Sequence, residues 1–182
     1  GDSNNYIYFS TDTQGYYTNG TKALEINSDS EVTKPLQPSF GVNLSANTDI
    51  TANGSYNTVV WNEELFDVGA NFNTSTGIFT APVDGRYLFT GVVELNTVDA
   101  SAVDYILATL VLTGMDHRFG VYDPDSLTQT GADSDMTFTF AIIADMDATD
   151  TAKIQLKTVG ATVTIDGDDA QHGSSFQGYL LG

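Results

Sequence analysis

Three groups of aspartates carry the plainest chemical suggestion in this chain: Asp145, Asp147 and Asp150; Asp166, Asp168 and Asp169; and Asp133 with Asp135. Carboxylates alternating through a loop can gather several oxygens about 2.4 Å from one hard cation, which is the chemistry of Ca²⁺. None of the groups completes an EF-hand, because the glycine at the sixth position and the glutamate at the twelfth are not both present. Solvated turn acids are the competing reading, and residue types leave both open. The two histidines, His117 and His172, have no second histidine four residues away and default to surface positions. The 24 acidic side chains allow dozens of carboxylate pairs, so no acid and base of a glycosidase can be singled out.

A nucleophilic serine is the other chemistry to weigh. Gly1-Asp2-Ser3-Asn4 and Asp169-Ala170-Gln171-His172 resemble the first and last blocks of the SGNH hydrolases, in which serine attacks and histidine, oriented by aspartate, takes its proton. The resemblance fails in three places. No strand precedes Gly1 to put the serine on a strand-to-helix turn, the Gly-x-Asn-Asp block is missing, and nothing in the sequence would form the helices of an α/β fold. No catalytic residue is assigned, and the expectation is a protein that is not an enzyme.

Charge and composition narrow the partners. Lys and Arg total 6 against 24 Asp and Glu, a formal net charge of −18. A polyanion would be repelled, so nucleic acid is not an expected ligand. Cysteine is absent, which removes disulfides, thiolate metal sites and a cysteine nucleophile. No run of 18 apolar residues exists, so no membrane insertion is expected. The start at Gly1, without a methionine or a basic apolar leader, reads as a piece of something longer.

The elements that would position these loops read as strands. In Gly85 to Leu95 one face carries Tyr87, Phe89, Gly91, Val93 and Leu95, with Thr90 and Glu94 on the other. Met136, Phe138, Phe140 and Ile142 alternate with Thr137, Thr139 and Ala141, and Ile154 and Leu156 with Lys153, Gln155 and Lys157. Val163 and Ile165 make a shorter strand before the Asp-Gly-Asp-Asp turn. Tyr105 to Leu112 is apolar on both faces, so it is either a covered central strand or an interface. Turn signals every ten residues or so complete an all-β pattern.

Several of these residues fall into one order. Phe40 lies in a short strand, Asn71 to Phe79 holds a turn and a Gly-x-Phe step, Pro82, Gly85, Tyr87 and Phe89 form Pro-x-x-Gly-x-Tyr-x-Phe, and Ser174, Phe176, Gly178, Tyr179, Leu180 and Leu181 close the chain. This order resembles the C1q-like branch of the complement C1q and tumour necrosis factor superfamily. The resemblance implies a C1q/TNF-like jelly-roll sandwich over residues 36–182 that packs as a trimer, with Phe40, Phe79, Tyr87, Phe89, Phe176 and Tyr179 as structural core. It also raises the expectation of Ca²⁺, with Asp145, Asp147, Asp150, Asp166, Asp168 and Asp169 as the ligand candidates.

Residues 1–35 lie outside that pattern. Tyr6, Ile7, Tyr8, Phe9, Tyr16 and Tyr17 sit among Asn, Asp, Thr, Gly and Ser, and Val32 to Pro38 carries two prolines that suit an extended connector. The expectation is a short β-structured stem below the head, the build of a viral fibre. With the acidic, Asn-, Gly- and Thr-rich style, this is similar to phage tail-fibre or needle tips carrying a C1q-like domain. It implies a receptor-binding head on a virion, or an otherwise extracellular protein, that recognises a host cell-surface glycan or protein. The alternatives are a trimerising cap of a fibre, a secreted C1q-like lectin, or a glycan-cleaving tip. Trp61, in Thr-Val-Val-Trp-Asn, is expected in the core or an interface, and Tyr56, Tyr105 and Tyr122 are candidate surface contacts. Four Asn-x-Ser/Thr sequons, at Asn19, Asn43, Asn53 and Asn73, read as accidents of an Asn- and Thr-rich chain.

Overall fold

A computed structural model describes residues 3–123, 134–167 and 173–182. Every regular element among them is a strand, and the chain divides into two compact units, 1–38 and 39–182. The boundary thus falls after Pro38 rather than after residue 35.

The first unit is one antiparallel sheet in the order β1 (Tyr6–Phe9), β2 (Gln14–Thr18), β3 (Thr21–Ile26) and β4 (Val32–Thr33). The β2–β3 hairpin closes on Asn19-Gly20, both at positive φ (49° and 74°), the two-residue turn whose twist matches that of the flanking strands. Val32 and Thr33 pair with Ile26 and Glu25, so part of the expected connector is a strand. What remains between the units is short, with Gln37 N–H donating to the Lys34 carbonyl.

The second unit is a sandwich of two antiparallel sheets. The larger runs β6 (Thr48–Ile50), β16 (Val163–Ile165), β11 (Gly85–Val98), β17 (Ser175–Leu180), β5 (Ser39–Asn43) and β8 (Glu63–Val68), and β14 (Ser134–Met146) joins it along the other edge of β11. The smaller runs β13 (Met115–Tyr122), β12 (Tyr105–Leu112), β15 (Thr151–Val159), β10 (Ile78–Thr80) and β9 (Phe72–Asn73), with β7 (Asn57–Thr58) against β15. The alternation expected in β11 and β15 places Tyr87, Phe89, Val93 and Leu95 against Ile154 and Leu156 in one core. The doubly apolar β12 is a central strand between β13 and β15.

Aromatics fill the space between the sheets. The Phe40 ring stacks on Phe72 and Phe79 at centroid distances of 4.8 and 4.9 Å and meets the edge of Phe176 at 5.0 Å. Trp61 is fully buried, 6.2 Å from Phe176. Gly178 is what lets Phe40 in: a Cβ there would lie 2.3 Å from the ring's Cε1.

Five of the six expected core aromatics, Phe40, Phe79, Tyr87, Phe89 and Phe176, are buried, and Tyr179 is not. Tyr179 is 48% exposed. Along β17, Phe176, Gly178 and Leu180 point inward, so a residue three positions from Phe176 must face out. Tyr122, a candidate surface contact, is buried instead, while Tyr56 is exposed.

Candidate functional site

The outward face of the larger sheet can be read off its register. One row runs Ile143, Leu88, Tyr179, Ser39, Val68, crossing β14, β11, β17, β5 and β8. The next runs Ala141, Thr90, Gln177, Gly41, Phe66 across the same strands. Neither row contains a charged side chain, on a chain of net charge −18. Charges stand at the borders: Arg86 opposite Asp145 at one end, and Glu94 and Glu63 toward the other.

Glycine shapes this surface. Phe66 lies flat over Gly41, where a Cβ would come within 2.5 Å of its Cε1, and between Phe66 and Tyr179 a hollow of about 140 Å³ is floored by Leu88, Thr90 and Gly178. Ile143 is 61% exposed and also borders a second hollow of about 280 Å³ at the open edge of the sandwich, shared with Met115, His117, Asp145 and Asp150. Ile143 therefore links the uncharged sheet face to an edge at β13 where Met115 stands among His117, Asp145 and Asp150. A sandwich strand facing water should carry polar residues outward; this one carries Ile, Leu, Tyr and Phe, the composition of a surface built to be covered. Reasoning from the sequence missed Phe66, Leu88 and Ile143, although the alternation in β11 and the Ile142-Ile143 pair held the signal.

The metal candidates separate. Asp150 Oδ2 accepts from the Asp147 backbone N–H at 3.0 Å, and Asp150 N–H donates to the Asp147 carbonyl, so this pair closes the β14–β15 turn. Asp84 Oδ1 accepts from Ala148 N–H at 2.7 Å in the same corner. Asp145 faces solvent on β14. Asp166 stands elsewhere, its N–H donating to the Glu94 carbonyl at 2.8 Å. The Asp166 and Glu94 carboxylates crowd one point: a Cβ on Gly173 would lie 2.8 Å from Asp166 Oδ2 and 3.0 Å from Glu94 Oε2. Asp168 and Asp169, like Asp133, His172 and the second half of the hydrolase-like pair of blocks, lie outside the described residues. Among the described residues no three His, Asp or Glu side chains gather as a metal site. His117 faces the open-edge hollow.

The opposite sheet carries a different surface. Lys157 Nζ sits 5.8 Å from the Tyr56 ring centroid and 5.5 Å from that of Tyr105, a cation between two aromatic faces. Leu107, directly opposite Lys157 in the register, shares that outward face.

Two antiparallel sheets in this order, packed face to face over one aromatic core, define a jelly-roll domain of the C1q and tumour necrosis factor type. The C1q domain model matches residues 39–181, and the chain belongs to that family. Solved structures agree in fold. The globular domain of zebrafish complement 1qA protein superposes with a TM-score of 0.51 at 16% identity, covering 80% of this chain and 98% of that one. Murine APRIL gives 0.54 at 11% identity, covering 80% and 99%. The Eiger TNF from S. frugiperda gives 0.53 at 12%, covering 81% and 92%. No curated protein sequence matches the chain.

Proposed function

We propose that residues 39–182 form a non-enzymatic binding head that works as a homotrimer, displayed outside the cell or on a virion at the tip of a phage fibre, where it recognises a host cell-surface glycan or protein. The observation that carries the proposal is the pair of uncharged rows on the larger sheet. Copies of a −18 chain repel one another, so a surface from which charge has been removed is where association costs least. A ring of three needs two unlike patches per copy, because a rotational interface joins one surface to a different one. The uncharged sheet face at Phe66, Leu88 and Tyr179 and the mixed edge at Met115, with His117, Asp145 and Asp150, are two such unlike patches. The family resemblance supports the number three.

The association patches take the outward face of the larger sheet and the β13 edge of the smaller, which leaves the smaller sheet's outward face for ligand. Tyr56 and Tyr105 with Lys157 between them offer flat rings for a sugar face and a cation for an acidic group. Ca²⁺ belongs to the same proposal, placed at Asp166 and Glu94, whose converging carboxylates a hard cation would neutralise.

Light scattering behind size exclusion tests the trimer: a mass of three chains supports it, and a single-chain mass over the working range overturns it. Labelled trimer should then bind host cells, with soluble surface extract competing and Tyr56→Ala with Tyr105→Ala weakening it. A trimer that binds no cell is a structural cap, and release of reducing ends from the extract would make it a glycan-cleaving tip.

A further inference from the structure

The first unit is a sheet without a core. Among the residues of its four strands only Gly15 is buried. Yet its two faces differ sharply. Register places Ile7, Tyr16 and Leu24 in one row and Phe9, Gln14, Ile26 and Val32 in the next, all on one face. That face carries no charge, and Phe9 and Val32 are 66% and 63% exposed. The opposite face holds Tyr6, Tyr17 and Lys22, then Tyr8, Gly15, Glu25 and Thr33. Four of its members pair within the sheet: Tyr6 stacks on Tyr17 with centroids 4.6 Å apart, and Lys22 pairs with Glu25 at 2.8 Å, while Tyr8 stays half exposed. One face is finished as a solvent surface, and the other lacks the second layer every stable sheet requires.

We propose that this apolar face is covered by the same face of two further copies of the chain, so that residues 6–33 form a three-sheet stem whose core is Ile7, Phe9, Tyr16, Leu24, Ile26 and Val32. The inference rests on the trimeric reading of the head. Charge selects the occupant: the chain's carboxylates would keep copies apart everywhere except on a face that bears none. With large side chains contributing about 150–250 Å² when fully exposed, the exposed parts of Ile7, Phe9, Tyr16 and Val32 amount to roughly 500 Å² per copy, below the ~800 Å² per partner of a standard free-standing interface and enough for one whose partners are already held together. Tethering matters as well. A short linker to an assembled head holds the three sheets at an effective concentration of about millimolar, so a face too small to assemble alone can close.

The natural chain has no cysteine, so single cysteines report geometry cleanly. Ile7→Cys and Val32→Cys place a thiol on the apolar face, and their neighbours Tyr8→Cys and Thr33→Cys place one on the opposite face. Each full-length variant is treated with a short bismaleimide at low protein concentration, then run on a denaturing gel, with its mass taken by light scattering. Cross-linked dimers from Ile7→Cys and Val32→Cys, several-fold more abundant than from the two neighbours and independent of dilution, are the expected result. A three-chain mass with no cross-link at either apolar-face position, or with equal cross-linking on both faces, overturns the stem and leaves the trimeric head standing. A single-chain mass overturns both.

Discussion

Ile143→Asp should dissolve the head trimer while leaving the sandwich folded. Ile143 points away from the core and is 61% exposed in the single chain. Burying an isoleucine completely is worth about 1.5–3 kcal/mol, so covering the remaining three-fifths yields roughly 1–2 kcal/mol per chain and ~3–6 for three. Aspartate forfeits that and adds a carboxylate in a desolvated interface, a cost of several kcal/mol per ion unless it finds a partner. Leu88 and Ala141 beside it offer none, and the nearest cation in the register, Arg86 on the diagonal, already stands opposite Asp145. At about 1.4 kcal/mol per factor of ten, the apolar loss alone weakens assembly by roughly 100-fold or more, and the charge by much more. Ile143→Ala isolates the apolar part and should shift the dissociation midpoint without abolishing assembly. Light scattering across a dilution series reads both, and near-ultraviolet circular dichroism from Trp61 and the buried aromatics checks the fold. If Ile143→Asp keeps a three-chain mass down to the dilution at which the natural chain does, the uncharged rows are not the association face.

Gly178→Ala should destabilise the sandwich, because its Cβ would sit 2.3 Å from Phe40 and 3.0 Å from Phe89 in a full core; overpacking of this kind costs about 1–3 kcal/mol, visible as a melt lowered by several degrees. Tyr87→Phe removes the hydrogen bond from the phenol to the Val83 carbonyl at 2.8 Å and should cost about 0.5–1.5 kcal/mol. Burial holds the Tyr87 phenol above its ordinary value, so its contribution is complete below the unfolded tyrosine value near 10 and is lost as pH rises through the folded one. The natural chain should therefore lose stability in alkaline titration more steeply than Tyr87→Phe, and equal slopes would refute the assignment. Calorimetry with millimolar Ca²⁺ should give heat that Asp166→Asn abolishes and Asp150→Asn does not. No heat from the natural chain, with a melting temperature unmoved by chelator, ends the Ca²⁺ proposal.

Most of the sandwich was legible because strands write their burial with a period of two. Tyr87, Phe89, Val93 and Leu95 announce an inward face, and Ile154 and Leu156 between lysines and a glutamine announce another. Tyr179 was misread when motif was followed instead of that period: three positions from Phe176 is the opposite side. The proposed association face was harder, since one of its rows assembles residues 39, 68, 88, 143 and 179 from five strands. No local pattern connects them; only the register does. The acidic clusters show the reverse relation between sequence and space. Proximity in sequence suggested joint ligands at Asp147 and Asp150, while the fold uses them to close a turn, and it brings Asp166 to Glu94, 72 positions earlier in the chain.

The closing strand shows why the family motif pairs a glycine with an aromatic. Gly178 and Tyr179 are adjacent, so they face opposite sides of β17. Inward, the missing side chain admits the Phe40 ring that anchors Phe72, Phe79 and Phe176. Outward, the tyrosine stands beside Leu88 in the uncharged row. One dipeptide thus serves the core of a single chain and the surface proposed for contact between copies. The two roles separate under mutation: Gly178→Ala should lower the melt of the monomer, whereas Tyr179→Asp should leave that monomer intact and prevent assembly. A Tyr179→Asp variant that unfolds without first dissociating would mean that the sandwich folds only as a trimer, and that the outward row belongs to folding as much as to association.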